Sequence, residues 1–109
     1  METSSISLNV HPQIIDLYEV LEENGLHKQK EEVQALVGYI DSMEDKLTRM
    51  MEEMKEIRLE VGKLHDKGIR AKCAQLVTAA GGKIHQARAM VSNAKTNLSS
   101  SAGRMVKHY

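Results

Sequence analysis

The sequence predicts an all-α protein in which a short N-terminal helix is followed by a long helical hairpin or coiled coil. Aromatic residues make up 3% of the 109 residues, fewer than the interior of a small sheet-based domain normally needs. One proline and seven glycines provide few of the turns that join β-strands. Apolar residues recur every seven positions in two long segments, which is typical of supercoiled helices.

The N-terminal part is expected to contain a flexible arm and one short helix. Residues 1–10 are mostly polar and are interpreted as the arm. Pro12 suits the first turn of a helix, and Asn24-Gly25 suits its end, because glycine adopts the left-handed conformation easily. The sequence therefore predicts a helix over 12–23. Such a helix is too short to be stable alone, so its apolar face must pack against another segment.

The next segment is predicted to form a helix over 27–65 with a continuous apolar seam. Its heptad positions a and d are apolar through five heptads, which predicts a left-handed supercoil. The a positions are Val33, Ile40, Leu47, Met54 and Val61, and the d positions are Leu36, Met43, Met50, Ile57 and Leu64. Val37, Tyr39 and Met51 make the apolar stripe wider than a two-stranded seam can bury.

A second seam, in a different register, predicts a helix over 69–103. Its bulky residues, seven apart, are Val77, Ile84, Val91, Leu98 and Met105, and the small residues three positions later are Ala80, Ala87, Ala94 and Ser101. The register changes near Gly68, so a hairpin turn is expected at 66–70, with Gly81-Gly82 as the alternative turn. A single long bent helix that pairs with other chains is the rival geometry.

Charge divides this single helical domain into an acidic heptad arm, 27–66, and a basic heptad arm, 67–107. Residues 1–66 contain fifteen acidic and seven basic residues, a formal charge of −8, whereas the rest of the chain contains eight basic residues and no acidic one, +8. Either the arms neutralise each other or the basic arm contacts an anionic partner such as nucleic acid. The possible anion contacts are Lys72, Lys83, Arg88, Lys95, Arg104 and Lys107.

No motif predicts catalysis, a cofactor or a metal site. The five histidines do not occur at metal-ligand spacing, and Cys73 is expected to be a small buried thiol. No apolar run approaches the roughly 18–20 residues of a membrane span, and the N-terminus lacks the features of a signal peptide. A non-enzymatic cytoplasmic protein without a membrane partner is therefore expected.

Four stretches of the chain resemble an uncharacterised helical domain family of bacterial integrative and conjugative elements. They are LEENGL over 21–26, EEVQALVGYIDSMEDKL over 31–47, KGIRAK over 67–72 and GKIHQAR over 82–88. The family has no established activity, so the resemblance implies no site residue. It implies an accessory role in a mobile genetic element, of a kind that includes counter-defence proteins acting on host nucleic-acid machinery.

The predicted function is that of a self-associating coiled-coil protein, a protein-interaction or accessory module. A homo-oligomer is expected, with a dimer favoured, because one hairpin and one short helix cover only part of the first seam. The predicted oligomer or partner interface comprises Leu36, Ile40, Met43, Leu47, Met50, Met54, Ile57, Val61 and Leu64. The alternative is a nucleic-acid-associated accessory, or an inhibitor of a host nucleic-acid-handling complex, that uses the basic arm.

Overall fold

The computed structural model describes residues 7–107, which contain helices and no strand. A 3₁₀ turn at Leu8–Val10 is followed by helix α1 at Pro12–Glu23, helix α2 at His27–Val61 and helix α3 at Lys67–Lys107. The predicted all-α class and the helical hairpin are confirmed. Within the described residues, the chain divides into unit 1, residues 7–43 and 91–107, and unit 2, residues 44–90.

Helix α1 has the bounds predicted from the sequence, and both of its ends are capped. The His11 Nδ1 atom accepts a hydrogen bond from the Gln13 N–H at 3.3 Å, and Pro12 occupies the first turn. At the other end Gly25 has a φ angle of +74°. The N–H of Leu26 then bonds the carbonyl of Leu21 at 2.9 Å, which completes a glycine-dependent helix stop.

Helix α2 ends four residues before the predicted boundary, and the hairpin turn occupies 62–66. Gly62 directly follows the last helical residue. Helix α3 begins at Lys67, two residues earlier than predicted, because Asp66 caps it. The Asp66 Oδ1 atom accepts a hydrogen bond from the Ile69 N–H at 3.0 Å, which satisfies a free amide of the first helical turn.

Helix α3 continues through Gly81-Gly82, so this pair is not the turn. The helix also extends past the predicted end at 103. Its serine-rich end stays helical because unit 1 buries part of it: Ser99 and Ala102 are almost inaccessible. The Ser99 hydroxyl also donates a hydrogen bond to the Thr96 carbonyl. Packing therefore outweighs the low helix propensity of this stretch.

Unit 1 has a well-formed apolar core in which all the helical segments take part. The core consists of Leu8, Ile14, Leu17, Leu21, Val37 and Ala102. Helix α1 also lies close to α3: a Cβ atom added at Gly103 would come within 2.6 Å of Gln13 Nε2. The predicted arm 1–10 reaches this core at its end, since Leu8 is 1% exposed; residues 1–6 lie outside the described residues.

Unit 2 is an antiparallel pair of helical segments with little buried surface. It contains the second half of α2, the turn, and α3 as far as Met90. Val77, 8% exposed, is the one buried residue between 44 and 90. Leu47, Met51, Met54, Val61 and Ile84 are half-buried. Two helices alone cannot enclose a core, so the apolar residues on the outer side of each seam stay accessible.

Candidate interaction surfaces

Asp41 joins the 3₁₀ turn to helix α2 in unit 1. Its carboxylate accepts hydrogen bonds from the Leu8 N–H at 2.9 Å, the Ser7 hydroxyl at 2.7 Å and the Asn9 N–H at 3.2 Å. These bonds satisfy amides at the start of the 3₁₀ turn, where no backbone partner is available. A residue of α2 thus caps the N-terminal segment, and Asp41 is a structural carboxylate.

The Lys95 ammonium lies 3.7 Å from Asp41 Oδ1, and both side chains are largely buried. Partial burial by itself raises the pKa of the Asp41 carboxyl. The hydrogen bonds from Leu8, Ser7 and Asn9, together with the charge of Lys95, outweigh burial and hold that pKa below its ordinary value. Lys95 was assigned from the sequence to possible anion contacts; the structure places it 6% exposed and paired with Asp41.

The ring of Tyr18 packs beside the same site. Its hydroxyl donates a hydrogen bond to the Asn9 side-chain oxygen at 3.2 Å. Burial, and then the negative charge of Asp41, raises the pKa of Tyr18. The phenol therefore stays protonated and acts as a donor that helps to hold the 3₁₀ turn. No sequence pattern marks this group of residues, because its members come from four separate parts of the chain: residues 7–9, Tyr18, Asp41 and Lys95.

The predicted interface residues of α2 divide into two rows with different exposure. The a positions from Val33 to Val61 are half-buried, whereas all five d positions, from Leu36 to Leu64, are exposed. Val37, which lies beside the a row on the side away from the d row, is 1% exposed because the unit 1 core covers it. The buried side of α2 is therefore rotated from the a and d seam toward Val37 and Met51, which leaves the d row uncovered.

Helix α3 presents an exposed row of its own in unit 2, which the heptad pattern of the sequence does not predict. The row contains Ile69, Leu76 and Met90, with Lys83 completing the seven-residue spacing. These apolar residues are between 54% and 71% exposed. The inner side of the helix carries the predicted seam, with Val77 and Val91 buried and Ile84 and Leu98 half-buried. Met105, predicted to continue that seam, is exposed.

Two open clefts lie between the helices of unit 2, on one side of the pair. The first has a volume of about 350 Å³ and is lined by Arg58, Val61, Gly62, Lys67, Arg70, Ala71, Ala74 and Val77. The second, about 260 Å³, is lined by Met51, Met54, Lys55, Arg58, Thr78, Gly81, Gly82 and His85. No carboxylate lines either cleft, and small residues of α3 form much of their walls.

Most basic residues after position 66 form no ion pair in the part of the chain that the structure describes. Within residues 7–107, no acidic group pairs with Lys67, Arg70, Lys72, Lys83, Arg88, Arg104 or Lys107. The six predicted anion contacts are divided between the units: Lys72, Lys83 and Arg88 belong to unit 2, and Lys95, Arg104 and Lys107 to unit 1.

No metal site and no membrane span is evident in the part of the chain that the structure describes. No three His, Cys, Asp or Glu side chains between 7 and 107 are grouped so that they could hold a metal ion. Cys73 is half-buried on the inner side of α3. None of the described helices combines the length and apolar character needed to cross a membrane. The surfaces that distinguish this molecule are thus its exposed apolar rows and its unpaired charges.

These features define an all-helical protein with one well-packed unit and one sparsely packed helical pair. The chain belongs to a family of unknown function, DUF6674, whose model matches residues 10–109. No curated protein and no solved structure matches the chain.

Proposed function

We propose that this protein is a non-enzymatic, self-associating helical module that works by presenting interaction surfaces to proteins. The observation that carries the proposal is the sparse burial of unit 2, in which only one residue between 44 and 90, Val77, is buried. A folded unit of this size normally encloses more apolar surface. A second chain buries the apolar surface that unit 2 leaves exposed.

The exposed d row gives this proposal its energetic basis. Burying a large apolar side chain contributes roughly 1.5–3 kcal/mol. Leu36, Met43 and Met50 are each more than one third exposed, and the row continues through Ile57 and Leu64. Contiguous apolar surface of this kind is typical of protein interfaces. Association is therefore expected to bury the d row. The half-buried a row is expected to keep its packing contacts inside the chain.

Sedimentation equilibrium of the purified chain tests self-association directly. The wild type is expected to be a dimer at micromolar concentration, and Ile57→Glu is expected to be monomeric and still helical. Thr48→Glu places the same charge on an exposed position of α2 outside the apolar rows, and it should leave the mass unchanged. A wild-type chain that sediments as a monomer at several hundred micromolar would disprove the proposal.

The biological setting in this proposal is the bacterial cytoplasm, with an accessory role in a mobile genetic element. The resemblance described above supports that role. The lone Cys73 supports a reducing compartment, since proteins of oxidising compartments commonly pair their cysteines.

A second candidate function is contact with nucleic acid, including inhibition of a host complex that handles it. The supporting observation is the set of seven basic side chains without an ion pair within residues 7–107. Two of them, Lys67 and Arg70, border the 350 Å³ cleft together with Arg58. Cations that are not neutralised within the chain are available to phosphates.

Fluorescence anisotropy with a labelled DNA duplex separates this candidate from the first. If the basic arm contacts phosphates, affinity should fall steeply as salt increases from about 50 to about 200 mM. Replacing Lys72, Lys83 and Arg88 by Gln should weaken binding and reduce the salt dependence. Replacing Lys46, Arg49 and Lys63 of α2 and the turn by Gln is the matched control. Absence of binding at 50 mM salt would eliminate this candidate.

A further inference from the structure

We propose that a second copy of this chain covers unit 2 as part of a four-helix bundle in which α2 of each copy lies against α3 of the other. This inference rests on the proposed self-association and specifies its geometry. The surface involved, here called the apolar face, consists of Met50, Ile57 and Leu64 of α2 and Ile69, Leu76 and Met90 of α3. All six side chains belong to unit 2, and their exposure ranges from 38% to 71%.

The two exposed rows lie on the same side of the helical pair. On α2, Lys55 and Gly62 flank the seam on one side, while Met50 and Ile57 flank it on the other. On α3, Ala74 and Gly81 occupy the flank opposite Leu76 and Lys83. Residues of the first flank of each helix line the same clefts. The remaining flanks, which carry the exposed apolar rows, therefore share the other side of the pair.

A second copy fits this face because the molecule offers matching apolar rows and opposite charges. In unit 2, α3 carries five basic residues and no acidic one, whereas α2 from Glu44 to its end carries six acidic and four basic residues. Two hairpins can meet face to face about a twofold axis parallel or perpendicular to their helices. The parallel axis places α2 against α3 of the other copy, and the perpendicular axis places α3 against α3.

Charge selects the first arrangement. Packing α3 against its own copy would oppose two helices whose charged residues are all positive, which disfavours that register. Both arrangements give antiparallel neighbours, the usual geometry of four-helix bundles, but only packing α2 against α3 opposes helices of opposite net charge. These charges are expected to determine the orientation of the two copies more than the affinity between them, because exposed charge pairs contribute little individually.

Lys83 and Glu53 mark the contact that distinguishes the two arrangements. Residues between 51 and 58 of α2 line the same cleft as residues between 78 and 85 of α3. Lys83 is therefore level with the part of α2 that contains Glu53. In the arrangement proposed here, Lys83 of one copy lies beside Glu53 of the second copy. Neither residue has an ion pair within residues 7–107, so both charges are available to another chain.

The test is a charge exchange read out as the dimer dissociation constant by sedimentation. Lys83→Glu alone is expected to weaken the dimer by roughly tenfold, because two such contacts occur per dimer and each becomes repulsive. Adding Glu53→Lys to the same chain is expected to restore most of the lost affinity. Lys67→Glu is the control: it makes the same charge change on the side of α3 that faces the clefts. It should leave the dimer dissociation constant unchanged.

The outcomes separate this inference from the proposed function. A dimer whose dissociation constant is unaffected by Lys83→Glu, or is not restored by Glu53→Lys, overturns the bundle geometry but keeps self-association. A monomeric wild type overturns both. Circular dichroism of each variant shows whether it is folded, and variants that lose helicity are replaced by Lys83→Gln with Glu53→Gln. For that pair, the combined loss should be smaller than the sum of the single losses.

Discussion

The Asp41 carboxylate accepts a hydrogen bond from the backbone N–H of Leu8, 33 positions earlier in the chain, at 2.9 Å. This bond fastens the 3₁₀ turn to α2 and places the Leu8 side chain in the core of unit 1, where it is 1% exposed. One carboxylate thus orders the entry of the chain into helix α1. It also neutralises a lysine, Lys95, that is almost inaccessible to solvent.

Asp41→Ala should destabilise the protein by about 2–4 kcal/mol, because the change leaves the partly buried Leu8 amide and the buried Lys95 ammonium without this partner. Urea unfolding followed by circular dichroism measures the loss. Asp45→Ala serves as the control: Asp45 is exposed and has no bonded partner within residues 7–107. Asp45→Ala is expected to change the free energy of unfolding by less than about 0.5 kcal/mol. Equal losses for the two variants would contradict the role of Asp41.

The contribution of Asp41 to stability should disappear in acid. Its pKa in the folded chain lies below the ordinary Asp value of about 3.9, so folding favours the ionised carboxylate. The stabilisation is therefore complete above the unfolded-state pKa and is lost as the pH falls through the folded-state value. Urea midpoints at pH 6 and pH 3 check this. The difference between wild type and Asp41→Asn should shrink at pH 3; a constant difference would refute the linkage.

Val37→Ala and Leu36→Ala should have contrasting effects although the two residues are adjacent. Val37 is 1% exposed in the unit 1 core, whereas Leu36 is 50% exposed. Val37→Ala removes two buried methyl groups. It should lower the free energy of unfolding by about 2–3 kcal/mol at any protein concentration. Leu36→Ala should cost less, and its effect should grow as the concentration rises and the chains associate. Thermal unfolding at two protein concentrations distinguishes these patterns.

Glycine substitutions should act in opposite directions at Gly82 and Gly25. Gly82 lies within α3, and a Cβ atom there would meet nothing within 4 Å. Gly82→Ala should therefore stabilise the protein by about 0.5–1 kcal/mol through helix propensity. Gly25 has a φ angle of +74°, so Gly25→Ala should destabilise it by about 1–2 kcal/mol. Differential scanning calorimetry measures both, and a stabilising Gly25→Ala would contradict the left-handed helix stop.

Local sequence determined the helices of this protein. Proline and Asn24-Gly25 define α1 because they act through the backbone of their own turn, and the seven-residue apolar period defines α2 and α3 because it reflects their own geometry. The ends near the hairpin turn were less predictable. Gly62 and the Asp66 cap set them, and both features are as common in loops as at helix ends.

Only the tertiary structure decided which apolar positions are covered. The stripe on α2 is wider than one neighbouring helix can bury, so its periodicity leaves open whether the d row or the side of Val37 faces inward. The answer depends on α1 and α3, which compete for the same surface. Likewise, Asp41 and Lys95 look like ordinary surface charges in the sequence. Their pairing arises because folding brings residues from distant parts of the chain to one site, and no local pattern records that proximity.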